Sequence, residues 1–275
     1  MKFRRVCTGM LLVSSILCGC AQAEKPDNPY RLKTQIHETY RDGETSCWRF
    51  EYTYDENGWY QQYQSYINDI PDTVTVYSRD EFGNTTGYEI IHPDGSRDVS
   101  EEKLTLNKEN RVVYSESYWN GVLNGTTEYG YNEDGQVTKL YINRIGALEG
   151  QDWKSFTDNT YDRKGNLIRA DVRWEPDDED SSYTLRTYQK DRLIRDETYK
   201  GEELDSYTDY TYDETRLVQT AIAYKADGTL QTKHVTTFDE YGNKLEVVAF
   251  AYATEMARFG ETDEEPDSRT TYIYE

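Results

Sequence analysis

The sequence predicts an all-β fold: a long, twisted antiparallel β-meander built from hairpin repeats of about 24–30 residues. Three observations predict it. The chain of 275 residues holds 26 Tyr, 5 Trp and 7 Phe, and strands favour such residues. Leu, Ile, Val and Phe together make up only about 18% of it, a level that would point to disorder without the tyrosines. A turn motif recurs at near-constant spacing, and between turns the polar and aromatic residues alternate with a period of two, which separates them onto the two faces of a strand.

The motif is aromatic-acid-x-x-Gly. Full copies are Tyr54-Asp55-Glu56-Asn57-Gly58, Tyr161-Asp162-Arg163-Lys164-Gly165 and Phe238-Asp239-Glu240-Tyr241-Gly242. Weaker copies start at Arg79-Asp80, Asn107, Tyr131-Asn132, Tyr188-Gln189 and Tyr212-Asp213. Midway between them lies a second set: Arg41-Asp42-Gly43, Pro93-Asp94-Gly95, Trp119-Asn120-Gly121, Lys200-Gly201 and Ala226-Asp227-Gly228. Asp-Gly and Asn-Gly suit tight hairpin turns because those turns need positive φ. Each repeat is therefore one hairpin.

The connecting runs read as strands. Trp48, Phe50, Tyr52 and Tyr54 share one face of the run from Cys47, with Arg49, Glu51 and Thr53 on the other; Val248, Phe250 and Tyr252 fall together, as do Tyr272 and Tyr274. The segment 249–259 is the one place where Ala and Met content suits a helix. Some 16 strands at about 4.8 Å spacing make a sheet on the order of 75 Å wide, which twist forces to coil. Such coiling leaves a concave or grooved surface.

At the N-terminus, Lys2, Arg4 and Arg5 precede the mostly apolar run Val6 to Cys18, which is shorter than the ~20 residues of a spanning helix. This is the pattern of a signal peptide, residues 1–19. Its end, Leu17-Cys18-Gly19-Cys20, resembles the lipobox of bacterial lipoproteins. The resemblance implies that Cys20 is lipidated and becomes the mature N-terminus, followed by a tether over residues 20–33 and a β-hairpin repeat domain over 34–275. Cys18 departs from the usual small residue, and Ala21-Gln22-Ala23 offers an ordinary cleavage site, with secretion as the alternative. Cys47 would then be left without a disulfide partner; next to Trp48 in a strand, it is expected to be a small buried residue.

The repeats resemble the YD-repeat (RHS-like) family through Tyr54-Asp55, Tyr161-Asp162 with Gly165-Asn166-Leu167, Tyr212-Asp213, and Phe238-Asp239 with Gly242-Asn243. The resemblance spans most of residues 47–275. It implies long antiparallel meanders, which in large toxins of the family spiral into shells around cargo. The run 119–125 also resembles a MORN-type hairpin, and Asn57-Gly58-Trp59-Tyr60 is similar to aromatic cell-wall-binding repeats.

Charge and motifs narrow the function. The net charge is −21 and removal of the signal peptide takes it to about −24, with no basic cluster, so nucleic acid is excluded as a partner. His37, His92 and His234 lack metal-ligand spacing, no nucleophile or phosphate-loop motif is present, and no cofactor is expected. The acidic runs 175–180 and 261–265 lack the alternating ligands of a calcium loop and read as solvated hairpin loops. The expectation is a non-enzymatic binding or scaffold lipoprotein, held by its lipid to the membrane on the extracytoplasmic face. Its ligand is a glycan or a protein, and the candidate contact residues are Trp153, in the irregular insert 143–158, with Trp48, Tyr52 and Trp119. A carbohydrate-active enzyme built from scattered carboxylates is the alternative. Replacing Cys20 by Ala is expected to move the protein from the membrane fraction to the soluble fraction. A wild-type protein already soluble outside the cell, with Glu24 as its first residue, would contradict lipidation.

Overall fold

The computed structural model describes residues 30–41, 43–146, 152–175, 181–252 and 266–275. The signal peptide and most of the expected tether, the acidic runs at 176–180 and 261–265, and residues 253–259 of the segment with helical composition lie outside them. Ala249 to Ala251 belong to a strand.

Eighteen strands follow one another without a described helix: β1 (Leu32–Arg41), β2 (Glu44–Tyr54), β3 (Tyr60–Ile67), β4 (Ile70–Arg79), β5 (Thr85–Ile91), β6 (Arg97–Leu106), β7 (Val112–Trp119), β8 (Val122–Tyr131), β9 (Val137–Arg144), β10 (Trp153–Tyr161), β11 (Leu167–Glu175), β12 (Ser182–Gln189), β13 (Arg192–Lys200), β14 (Glu203–Asp213), β15 (Val218–Lys225), β16 (Leu230–Phe238), β17 (Lys244–Ala251) and β18 (Ser268–Tyr274). Each pairs antiparallel with the next, and β18 pairs with β1 from Leu32↔Tyr274 to Thr39↔Ser268. The expected meander is thus closed into an up-and-down barrel, with 18 strands rather than the roughly 16 that the turn spacing suggests. Closure is the solution that leaves no edge strand.

The register fixes the barrel's shape. Followed from partner to partner once round the ring, the ladder returns to β1 displaced by about 20 residues, which for 18 strands gives a tilt of roughly 40° and a backbone diameter on the order of 35 Å. Side chains from the wall of so wide a ring do not fill it. Burial agrees: among the described residues Val112 is the one buried hydrophobic side chain, and the buried polar ones are mostly hydroxyls such as Ser65, Thr75, Ser115, Ser117 and Ser155. Substantial contacts join each strand only to its ladder neighbours.

Pairing also sorts the side chains. Ser65, Thr75, Ser100, Ser115, Ser117, Thr127, Ser155 and Thr236 all share the face of Trp48, Phe50, Tyr52 and Tyr54, so the more buried, aromatic face is the concave one. The convex face carries charge. Arg169 donates to Asp171 at 2.7 and 2.6 Å, Arg195 donates to Asp209 at 2.7 and 3.0 Å, and Arg49 pairs with Glu51. The same cations lie over outward rings, Arg49 over Tyr66 at 3.8 Å and Arg169 over Tyr183 at 4.2 Å. This is the reverse of a membrane barrel, whose outer face is an apolar band. Cys47 lies on this convex face and is half-buried, which corrects its expected full burial.

The Tyr-Asp pair has two separate jobs. In the turn, the carboxylate replaces missing backbone partners: Asp162 Oδ1 accepts from the amides of Lys164 and Asn166, and Oδ2 accepts from the Asn166 carboxamide. Asp80 with Asn84 and Asp239 with Asn243 repeat this. The final Gly closes the turn at positive φ, +88° in Gly83 and Gly165, and the neighbouring strand takes a one-residue bulge. At Gly83 a Cβ would also come within 2.7 Å of the Trp59 ring. The tyrosine latches neighbouring turns together: its hydroxyl donates to a carbonyl at the start of the preceding strand, Tyr54 to Leu32, Tyr131 to Val112, Tyr161 to Val137, Tyr188 to Leu167 and Tyr212 to Leu193. Arg79 occupies the tyrosine's place in its repeat and donates to the Tyr60 carbonyl.

All these turns lie at one rim, together with Tyr30 and Glu275, which the Arg31–Glu275 backbone pair holds there. The opposite rim carries the other set of turns and the strand ends at Arg144 and Trp153, Glu175 and Ser182, and Ala251 and Ser268, between which the three longer connections run. Tyr161→Phe removes one latch and is expected to cost about 1 kcal/mol, a fall of roughly 2–4 °C in the melting temperature. An unchanged melting temperature would mean that the latch is decorative.

Candidate functional site

The inner wall holds the longest run of touching rings among the described residues, whereas the outer rings Tyr141 and Phe156, Tyr183 and Tyr199, and Tyr207 and Tyr224 touch in pairs. The four candidate side chains all face inward, but they occupy different parts of the wall. Trp48 sits on β2 beside His37, with ring centroids 5.9 Å apart. Tyr52, nearer the Tyr-Asp rim, joins Tyr60 at 5.4 Å and Tyr63 at 6.1 Å. Trp119 ends β7 at the opposite rim, 6.3 Å from Tyr88, and Trp153 begins β10 at that same rim, 5.2 Å from Trp174 and 36% exposed. No ring contact joins these four to one another.

The densest part of the wall was not legible from single residues. Tyr52, Tyr54, Tyr60, Tyr63 and Tyr77 form one cluster, in which Tyr60 stacks parallel to Tyr63 and meets Tyr77 at 5.0 Å. The sequence does carry a signal: Tyr52, Tyr77, Tyr129 and Tyr210 each stand three residues before the acid or amide that opens a turn, a fixed inward position. Beside the cluster, a cleft of about 430 Å³ opens between the turns 55–58 and 80–83, lined by Trp59, Tyr60, Gln61, Tyr77 and Arg79 together with Asp55, Asn57, Asp80 and Glu81. Its aspartates are already engaged: Asp55 accepts from the amides of Asn57 and Trp59, and Asp80 from those of Phe82 and Asn84. They are turn acceptors rather than free acids.

Electrostatics on the inner wall follow from partial burial. Desolvation, reinforced by neighbouring tyrosines, pushes Tyr77 up to about 12 and raises Tyr52 and Tyr60 well above the ordinary tyrosine range. Tyr210 is raised by burial and by Asp196, to which it donates at 3.0 Å. His37 and His234 face inward and are lowered by burial, and only His92 stands at a turn, 3.0 Å from Asp98. His37 is half-buried, while His234 is exposed on its strand. The inward carboxylate Glu102 accepts from Ser117 at 2.6 Å, several strands from Asp196 in the ring. Among the described residues no cluster of His, Cys, Asp and Glu is arranged to hold a metal ion, and burial raises the Cys47 thiol, the opposite of an activated nucleophile.

No family model and no curated protein matches the chain. Among solved structures, the chain is similar to a porin-like protein from Bacteroides uniformis ATCC 8492, at 12% identity and a TM-score of 0.45, over 89% of this chain and 96% of that one. It is also similar to TcdB2-TccC3, at 12% identity and a TM-score of 0.24 over 86% of this chain. A TcdB2-TccC3 structure without its hypervariable C-terminal region gives the same identity and TM-score over 85% of this chain. The chain spans 19% and 18% of those two much longer chains.

The tyrosine cluster generates a pH prediction. Because the folded state holds Tyr77 protonated up to about 12, against an ordinary value of 10, its contribution to stability is complete below pH 10 and is lost as pH rises through about 12. Absorbance at 295 nm is expected to show a set of tyrosines that ionise only as the strand signal collapses. Ionisation of all tyrosines near pH 10 in a still-folded protein would contradict the packing described.

Proposed function

We propose that the protein is an extracytoplasmic lipoprotein whose hollow barrel binds a ligand on its inner wall and does not transform it. One observation carries the reading. The ring is too wide to be filled by its own side chains, and its inward face is lined by tyrosine, tryptophan and hydroxyl groups while its outward face is charged and ion-paired. Partly exposed aromatics in a concave setting are what contact sites are made of.

The binding reading is favoured over the enzymatic one by the state of the carboxylates. The aspartates in the rim cleft complete turns, and the inward carboxylates Asp98, Glu102 and Asp196 each accept hydrogen bonds from separate partners, Asn120, Ser117 and Tyr210. The lipid at Cys20 supplies the attachment that the charged outer face does not. Since Tyr30 and the C-terminus lie at the Tyr-Asp rim, an anchor ten residues upstream holds that rim toward the membrane and leaves the rim of the longer connections facing away.

The test is an array of glycans and proteins probed with the mature chain and two variants, Tyr52→Ala on the inner wall and Tyr207→Ala on the outer. A ligand is expected whose affinity falls about thirtyfold with the first, the scale of a buried aromatic anchor, and is unchanged with the second. Loss through the outer variant alone would move the site off the inner wall. Turnover of a bound glycan, abolished by one carboxylate substitution, would overturn the non-enzymatic reading.

A further inference from the structure

The inner wall carries one aromatic path that crosses the barrel from rim to rim. Tyr54, Tyr60, Tyr77, Tyr88 and Trp119 touch in sequence, with centroid steps of 6.1, 5.0, 5.8 and 6.3 Å. Tyr54 immediately precedes the turn at 55–58 on the Tyr-Asp rim, and Trp119 immediately precedes the turn at 120–121 on the opposite rim. The register explains the path: its residues stand at nearly the same level on β2, β3, β4, β5 and β7, so the line runs across the strands. In a barrel tilted by roughly 40°, a line across the strands also climbs, by about 3 Å per strand, and five strand steps carry it on the order of 15 Å along the axis. The result is a spiral staircase of rings joining the two mouths.

We infer that this path is a binding track for a linear, uncharged glycan lying along the inner wall, an assignment that rests on the binding reading above and gives it a ligand class. Successive ring faces at this spacing suit successive apolar faces of pyranose rings, and the phenol hydroxyls at the edges of Tyr77 and Tyr88 supply polar partners. Charge excludes an anionic polymer. The cation on the track, Arg79, donates to the Gly83 carbonyl, to Thr85 Oγ1 and to the Tyr60 carbonyl, so its hydrogen bonds are spent on the wall itself. An extended polypeptide is disfavoured for a different reason. Its backbone would need hydrogen-bond partners, and a closed ring offers no free strand edge on which to add it. A sugar chain brings hydroxyls and ring faces and needs no such edge.

The inference is tested by titrating the mature protein with cello-, malto- and N-acetylchito-oligosaccharides of two to six units, followed by calorimetry. At least one series is expected to bind with an affinity that rises about tenfold or more from the shortest to the longest member, as each added ring occupies a further step. Tyr88→Val, which removes the middle step while keeping a strand-forming residue, is expected to abolish that rise in a protein whose melting confirms it is folded. Tyr88→Phe keeps the ring and is expected to keep the rise, which guards against a merely structural effect. Affinity independent of length, or a rise that survives Tyr88→Val, overturns the track. No binding of any of the three series overturns the glycan assignment, as does tighter binding of reduced, carboxymethylated lactalbumin that any of them fails to displace. An inner-wall ligand of another class on the array would then leave the broader binding reading standing.

Discussion

The pairing of the last strand with the first is the interaction on which the rest of this structure depends. An ordinary domain is held by a buried apolar core, and here that core is nearly absent: the side chains that are buried are mostly serine and threonine. Stability must therefore reside in the ladders and in what covers them. Closing the ring satisfies the backbone of β1 and β18 and removes both edges, which a sheet this long and this poor in aliphatic residues would otherwise expose to other chains. The aromatic rings add burial by lying over their hydroxyl-bearing neighbours on the concave face. Outside, arginine and tyrosine stack in pairs and cover the strands with their stems.

Given closure, the period of two does the remaining work. Each strand sends one set of side chains into the ring and the other into solvent, and because the net stagger round the ring is even, the two sets never mix at the seam between β18 and β1. A polar, tyrosine-rich sequence thereby yields two chemically different surfaces from one layer of backbone. The outer surface is an acidic, ion-paired coat. The inner one is amphipathic and wide, and its ring chemistry changes from strand to strand.

Much of this was legible in the sequence, and what was missed has identifiable causes. The hairpin repeat, the alternation along β2 and nearly all the turns followed from Tyr-Asp, Asp-Gly and Asn-Gly spacing. The turn at Asn68-Asp69 was missed because it reaches positive φ, 49° and 63°, without a glycine, and the strand count was low for that kind of reason. Closure itself is a sum over eighteen registers, and no local motif reports it. The candidate tryptophans are single positions, whereas the aromatic cluster at Tyr52, Tyr60 and Tyr77 exists only across strands, where a one-residue bulge after the turn at 55–58 brings Tyr60 onto the face of Tyr54.

Closure of the ring is tested most directly by a disulfide across the seam between β18 and β1. His37 on β1 and Thr270 on β18 face each other inside the barrel, with Nδ1 and Oγ1 2.9 Å apart, although they stand at opposite ends of the sequence. In the chain from Ala21 onward carrying Cys47→Ser, which has no other cysteine, the pair His37→Cys and Thr270→Cys is expected to oxidise to a single intramolecular disulfide in the folded monomer, seen as faster migration on a non-reducing gel. Failure to form it, while a control pair placed across β1 and β2 at Thr39 and Ser46 does crosslink, would show that the meander is open and that the lumen described here does not exist.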